Sequence, residues 1–170
     1  MIPRLEDFVG KARLIGTDII WIRMVEDIPD VNDNIRARIE SHGDFIFYRR
    51  GTKGFDYYKL SPEPNDTEIT KFSYSAFSIR ATPNLDNYLK RKDIKTLVVT
   101  GVYTSRCVFT TASGAVERGY NVFIPPDLVA MPKELESVHK TFLKEFQTIQ
   151  GFTLNSKSVL QTLRNNQELE

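Results

Sequence analysis

The sequence contains few of the residues that build disulfides and metal sites. Its 170 residues include one cysteine, Cys107, and two histidines, His42 and His139. A single cysteine excludes an internal disulfide and points to a reducing compartment or to a thiol kept for chemistry. The two histidines lack the close spacing of metal ligands. We therefore expect no bound metal and no cofactor.

Neither one sign of charge nor a long hydrophobic run dominates the chain. It has 23 basic and 22 acidic side chains and a net charge of +1, which gives no electrostatic reason to expect nucleic acid or an anionic membrane as a partner. No apolar run approaches the roughly 20 residues that span a bilayer, and the N-terminus lacks the pattern of a secretory signal. We expect one globular domain over residues 1–170, located in the cytoplasm.

Strand-like and helix-like segments alternate along the chain. Buried and β-branched runs predict strands at residues 18–25, 66–71, 95–101, 121–125 and 152–155. Apolar residues at helical spacing predict helices that begin near Pro3, Thr82, Cys107, Leu135 and Ser156, the last continuing as a terminal tail over 156–170. Residues 26–66 are rich in Asp, Asn, Pro and Gly, which predicts a long variable excursion. This order predicts a three-layer α/β fold with a doubly wound, mostly parallel sheet.

The segment 100–107 combines two features of a ligand site. It leads from the carboxyl end of a predicted strand into a helix, the place where parallel sheets bind ligands. Free N–H groups at a helix start stabilise a thiolate at Cys107 and can hold the oxyanion of a tetrahedral intermediate. The alternative is that Cys107 is a small core residue, as free cysteines commonly are. A nucleotide-binding Rossmann domain is excluded, because no glycine-rich phosphate motif follows a strand.

Three motifs resemble the isochorismatase-like cysteine hydrolase superfamily, which includes nicotinamidases and N-carbamoylsarcosine amidase. They are Lys71-Phe-Ser-Tyr-Ser-Ala-Phe77, Thr100-Gly-Val-Tyr-Thr-Ser-Arg-Cys-Val108, and Ala112 with Ala115-Val-Glu-Arg-Gly-Tyr-Asn-Val122. The resemblance covers about residues 2–155. It implies a six-stranded, mostly parallel sheet and hydrolysis of a small amide, carbamoyl or ureide compound.

The resemblance also implies roles for individual residues. Cys107 corresponds to the nucleophile and Lys71 to the catalytic lysine, whose positive charge would favour the thiolate. The backbone N–H groups of Tyr103 and Cys107 correspond to the oxyanion hole, and the peptide between Val102 and Tyr103 to one that is cis in the family. Relatives are usually dimers or larger, so we expect a homo-oligomer, and the aromatic stretch at residues 45–48 modestly supports this.

One part of the family pattern has no counterpart in this sequence. The catalytic aspartate normally lies on a first, central strand, whereas the first element predicted here is the helix that follows it. Without that strand, strands 18–25 and 95–101 would pair directly, receive a strand from a neighbouring chain, or belong to a longer protein. Asp18 precedes its strand, at the wrong end for the site. Asp127 follows a strand, and we interpret it as the anchor of a loop.

Two functions therefore stay open. The first is a cysteine amidohydrolase, with weak or no turnover unless another residue, most plausibly Asp127, replaces the missing base. The second is a catalytically impaired relative that binds a small molecule or a protein partner.

Overall fold

A computed structural model describes residues 1–25, 33–41 and 48–167 of the protein. The α-helices are α1 (Ile2–Leu14), α2 (Asp33–Ser41), α3 (Leu85–Arg91), α4 (Phe109–Val116), α5 (Glu136–Ile149) and α6 (Ser156–Gln167). The strands are β1 (Ile20–Met24), β2 (Thr67–Lys71), β3 (Thr96–Val98), β4 (Gly101–Val102), β5 (Asn121–Phe123) and β6 (Val129–Ala130). A π-helical turn, Thr104–Val108, leads directly into α4. None of the helices in the described ranges is long and apolar enough to cross a membrane.

The strands pair in three parallel ladders, which confirms the predicted α/β architecture. β1 pairs with β2, β3 with β5, and β4 with β6. The predicted strand at 95–101 is divided into β3 and β4. The predicted strand at 152–155 is wrong in extent, because a single parallel bridge from Phe123 to Phe152 is all that the structure forms there.

Helices cover both faces of the sheet in the predicted three layers. On one face α1 and α6 place Phe8 and Val159 around the buried Leu128. On the other face α3, α4 and α5 supply the buried residues Leu85, Leu89, Ala112, Ala115 and Phe146. The neighbouring residues Leu97 and Val98 of β3 pack against opposite layers, as the alternation of side chains along a strand requires.

The start of α3 differs from the prediction at Thr82. The N–H of Thr82 donates to the Thr70 carbonyl and its own carbonyl accepts from the Thr70 N–H, both at 2.9 Å. Because this bridge to β2 holds Thr82 in extended backbone, the helix begins later. Asn84 is the N-cap, and its side chain accepts a hydrogen bond from the Asn87 N–H at 3.0 Å.

β1 and β3 each keep one edge without a partner strand among the described residues. The ladder of β1 runs to β2 and that of β3 to β5. Direct pairing of β1 with β3, one of the three arrangements considered for the missing strand, is therefore not seen in the described part of the chain. Ile20 and Leu97 nevertheless pack against the same hydrophobic cluster. Among the described residues, the β1–β2 pair and the β3–β5 pair are therefore joined through this shared hydrophobic cluster, and no backbone hydrogen bond links β1 to β3.

The turn after α5 is built around a close approach at Gly151. A Cβ atom at this position would lie 2.6 Å from the Val122 carbonyl oxygen and 2.7 Å from the Phe146 ring. We expect Gly151→Ala to lower the free energy of unfolding by about 1–3 kcal/mol, because backbone and ring must both shift. Gly10→Ala is the matched control, since no atom lies within 4 Å of its added Cβ. Chemical denaturation measures both, and an unchanged stability of Gly151→Ala would contradict the prediction.

A part-buried ion pair without a sequence motif connects α1 to the start of β2. The side chain of Asp66 is 5% exposed. It accepts hydrogen bonds from Arg13, from Trp21 Nε1 at 2.7 Å and from the Glu63 N–H at 2.9 Å. Burial alone would raise the pKa of the Asp66 carboxyl, but these donors lower it overall. The folded state therefore favours the ionised carboxylate.

The lowered pKa of Asp66 predicts a loss of stability in acid. The contribution of the Asp66 carboxylate to the free energy of unfolding is fully present above its unfolded-state pKa of about 3.9. It is lost as the pH falls through the lower pKa of the folded state. We expect Asp66→Ala to lower the free energy of unfolding by about 1–3 kcal/mol at neutral pH and to reduce the slope of stability against pH in this acid range. Asp7→Ala is the control, because Asp7 is 59% exposed in its pair with Lys11. Equal acid slopes in wild type and Asp66→Ala would refute the assignment.

Candidate active site

The structure brings the two predicted catalytic side chains together. Lys71 is the last residue of β2, and Cys107 lies in the π-helical turn that follows β4. The Lys71 ammonium and the Cys107 thiol are close enough for charge on one to act on the other. The carboxyl ends of parallel strands meet at one edge of a sheet, which explains why residues distant in sequence converge here.

Lys71 is an unusual lysine because it is buried, with 3% of its surface exposed. Its Nζ donates a hydrogen bond to the Tyr74 carbonyl. Burial lowers the pKa of Lys71, while negative charge on Cys107 raises it in part. No carboxylate of the described residues contributes to the pKa of Lys71. The pair therefore consists of one buried amine and one half-buried thiol that can share a proton.

The π-helical turn presents backbone donors beside Cys107. The Tyr103 carbonyl accepts hydrogen bonds from the N–H groups of Arg106 at 3.0 Å and Val108 at 3.3 Å, which closes the turn. The Val102–Tyr103 peptide is cis, as the family resemblance implies. Within the described residues, the N–H of Tyr103 has no acceptor. The oxyanion role of the Tyr103 and Cys107 N–H groups stays a prediction.

A side-chain contact from α5 fixes the same turn. The Thr104 side chain is buried, and its Oγ1 lies 2.8 Å from Nδ1 of His139. His139 shares its helix stripe with Phe142 and Phe146, and that apolar stripe was the available signal in the sequence that it faces inward. His42 lies outside the described residues. No group of three potential metal ligands occurs among the residues that the structure covers, and the absence of a metal stays a prediction.

The Asp127 carboxylate holds the start of α6 through hydrogen bonds. Its carboxylate accepts hydrogen bonds from the Ser156 N–H at 2.9 Å and from Ser156 Oγ at 2.5 Å, at the first residue of α6. Burial would raise the pKa of the Asp127 carboxyl, but the bonds from Ser156 lower it overall. Asp18 lies at the amino end of β1, 3.4 Å from the Lys92 ammonium. Neither carboxylate acts on Lys71, which agrees with the interpretation of Asp127 as an anchor.

A small pocket lies near the carboxyl end of the β1–β2 ladder. Its volume is about 230 Å³, and it is lined by Met24, Arg38, Ser73 and Tyr74. Met24 pairs with Lys71 in the β1–β2 ladder, and the Tyr74 carbonyl is the acceptor for Lys71. The pocket therefore lies at the carboxyl edge of the sheet, where the candidate nucleophile is found.

Comparison with known proteins identifies a domain family and relatives that match most of this chain. Residues 1–158 match the isochorismatase domain family. The ureidoacrylate amidohydrolase RutB of Methylorubrum extorquens is 43% identical over 139 residues, which cover 71% of this chain and 53% of that protein. The chain thus spans about half the length of the curated relatives it matches.

Two solved structures share the fold. A cysteine hydrolase from Pseudomonas syringae has a TM-score of 0.83 at 21% identity, over 95% of this chain and 78% of its own. N-carbamoylsarcosine amidase from Thermoplasma acidophilum has a TM-score of 0.66 at 24% identity, over 90% of this chain and 84% of its own. Together with the domain match over residues 1–158, these similarities show that the chain belongs to the isochorismatase family.

Proposed function

We propose that the protein hydrolyses a small amide, carbamoyl or ureide compound with Cys107 as the nucleophile. The observation that carries this proposal is the buried Lys71 amine beside the Cys107 thiol, at the carboxyl edge of the sheet. Two similar proteins have names that indicate this kind of reaction. One is a ureidoacrylate amidohydrolase and the other is an N-carbamoylsarcosine amidase.

In the first half-reaction, the Cys107 thiolate attacks the substrate carbonyl carbon and forms a C–S bond. The oxyanion accepts hydrogen bonds from the backbone N–H groups of Tyr103 and Cys107. The proton that left the thiol is held by Lys71. Its lowered pKa makes the ammonium a better proton donor to the leaving nitrogen as the C–N bond breaks.

In the second half-reaction, water attacks the thioester. The neutral Lys71 amine takes the proton of that water, the C–S bond breaks, and the acid product leaves. In this scheme Lys71 alone carries out the proton transfers that a lysine and a carboxylate would otherwise divide between them. Because none of the described carboxylates contributes to the pKa of Lys71, we expect a catalytic efficiency below about 10⁴ M⁻¹s⁻¹, the lower end of ordinary enzymes.

The absence of a carboxylate contributing to the pKa of Lys71 also favours a second candidate, an impaired family member that binds a small molecule. A panel of small amides, N-carbamoyl compounds and ureides separates the two, with release of the nitrogen product as the assay. Release that disappears in Cys107→Ser supports the hydrolase. If the folded protein binds a panel compound stoichiometrically but releases no nitrogen product, the hydrolase is excluded and the binding function is supported.

A further inference from the structure

The turn that carries Cys107 is attached to α5 at two points. At its first residue, Oγ1 of the buried Thr104 lies 2.8 Å from Nδ1 of His139. Just beyond its last residue, the Phe109 ring meets the Phe142 ring edge to face, with the ring centroids 4.8 Å apart. Because Cys107 lies in the chain between these two attachments, both of them restrict where its backbone can lie.

The π-helical geometry of the turn brings the two attachment points to one side. The N–H of Phe109 donates a hydrogen bond to the Thr104 carbonyl, five residues earlier, so the two residues lie one turn apart. In an α-helix, residues five apart would point about 140° away from each other. On α5, His139 and Phe142 are three residues apart and therefore share one face. The turn and α5 thus meet through two pairs of residues at matching positions.

The two attachments differ in how closely they fix the turn. Aromatic rings attract each other over a range of offsets, with centroids roughly 4.5–7 Å apart. A hydrogen bond weakens steeply when its angle or distance changes. Thr104 is 1% exposed, so its hydroxyl would be left unpaired in a buried place if the contact with His139 were lost. The hydrogen bond between Thr104 and His139 therefore sets the position of the turn more closely than the ring contact does.

We infer that His139 is a positioning residue, which acts through the Thr104 hydroxyl to hold Cys107 beside Lys71. This inference rests on the proposed function, because the rate of that reaction is what the positioning serves. Attack on a carbonyl requires the sulfur and the proton carrier in one geometry, and a misplacement of about 1 Å can lower the rate about 10²-fold. His139 takes no part in bond making or proton transfer.

The first measurement is the rate at which iodoacetamide alkylates Cys107, the only cysteine of the chain. The sulfur forms a C–S bond as the C–I bond breaks and iodide leaves, so no turnover is needed. We expect Thr104→Val, which keeps the side-chain shape but lacks the hydroxyl, to slow alkylation about threefold to tenfold. His139→Leu should cause the same loss from the other partner, and it keeps the test decisive if Thr104→Val does not fold.

Conservative variants should restore the rate. Thr104→Ser keeps the hydroxyl, and His139→Asn places an amide oxygen or nitrogen where Nδ1 lies. We expect both to react within about twofold of the wild type, since each retains a hydrogen-bonding group at the contact. If both conservative variants react as slowly as Thr104→Val and His139→Leu, the hydrogen bond is not what positions the turn and the inference is overturned.

A double variant shows whether the contact acts through the pair of Lys71 and Cys107. In the Lys71→Met background, Thr104→Val should slow alkylation further by less than about twofold, because the group beside which Cys107 is held is already gone. If the two substitutions instead slow alkylation by the full product of their separate effects, Thr104 acts on the sulfur independently of Lys71, which would overturn the inference.

Ser113→Ala is the matched control. Oγ of Ser113, on α4, donates a part-buried hydrogen bond to Oε1 of Gln150, the residue that follows α5, at 2.6 Å. Its removal weakens the packing of α5 on α4 but leaves the contact of Thr104 intact, so alkylation should keep the wild-type rate. Circular dichroism verifies that each variant is folded. Equal slowing in Ser113→Ala and Thr104→Val, or wild-type rates in both Thr104→Val and His139→Leu, would overturn the inference.

Hydrolysis separates failure of this inference from failure of the proposed function. With the most reactive compound of the panel, we expect His139→Leu to lower kcat about tenfold or more and to leave KM within about threefold, because substrate binds while the sulfur is misplaced. Wild-type kcat in both His139→Leu and Thr104→Val keeps the proposed function and overturns the role of His139. If no panel compound is hydrolysed, the proposed function fails, while the alkylation rates still decide whether His139 positions Cys107.

Discussion

Replacement of Cys107 by alanine is expected to reduce hydrolysis of the preferred substrate to the uncatalysed level. Alanine leaves the pocket and Lys71 in place but removes the atom that forms the acyl intermediate, so no alternative route of comparable rate remains. The measurement is kcat/KM of wild type and Cys107→Ala with the most reactive compound of the panel. The same variant should retain affinity for that compound, measured by calorimetry.

The matched control for Cys107 is Ser105→Ala, which changes another side chain of the same turn. We expect it to retain activity, because Ser105 takes part in neither the proton transfers nor the C–S bond. Activity retained in Cys107→Ala at a level comparable with Ser105→Ala would exclude nucleophilic catalysis by this residue.

Replacement of Lys71 by methionine has the second largest expected effect. We expect kcat/KM to fall by about 10²-fold or more, because the amine that lies beside Cys107 and carries the proton is lost. Iodoacetamide modification at neutral pH should slow as well, since the Lys71 ammonium no longer lies beside the attacking sulfur. The pH profile of that modification reports the change without requiring turnover.

Stability distinguishes a chemical role of Lys71 from a structural one. Methionine fills similar space and removes the desolvation cost of a buried amine, so Lys71→Met is expected to be at least as stable as wild type. Lys95→Met is the control, because Lys95 is 73% exposed, and it should alter neither activity nor modification. If Lys71→Met reacts with iodoacetamide as fast as the wild type at every pH, the amine does not act on the thiol.

Much of the fold could be predicted because its signals are local. The apolar stripe that includes Phe8 and Ala12 indicated α1, and the β-branched run at residues 18–25 indicated β1. The convergence of Lys71 and Cys107 followed from their places at the carboxyl ends of parallel strands and from the family motifs. α2 was not predicted as a helix, because residues 33–41 lie in a polar segment whose apolar face is short.

Contacts between distant parts of the chain could not be predicted. The pairing of Asp66 with Arg13 and Trp21 depends on how α1 lies across β1 and β2. The contact between Thr104 and His139 likewise depends on where α5 packs against the π-helical turn. Neither contact has a sequence motif, because its partners lie far apart in the chain.

The family pattern has a strand between β1 and β3, and the described residues contain none there. β1 and β3 do not pair in the described residues, and no described carboxylate acts on Lys71. A strand from a neighbouring chain and a longer natural protein both stay predictions, as do a homo-oligomer and a cytoplasmic location. Of the aromatic stretch at residues 45–48, only Tyr48 lies within the described residues.

The most direct test of the central claim is to trap the acyl intermediate on Cys107. The enzyme is mixed with the most reactive compound of the panel, quenched in acid at successive early times, and digested for peptide mass spectrometry. We predict that the peptide containing Cys107 gains the mass of the substrate acyl group before product accumulates, and that the adduct decays as product forms. Consumption of substrate while that peptide keeps its unmodified mass at every time point would contradict covalent catalysis by Cys107.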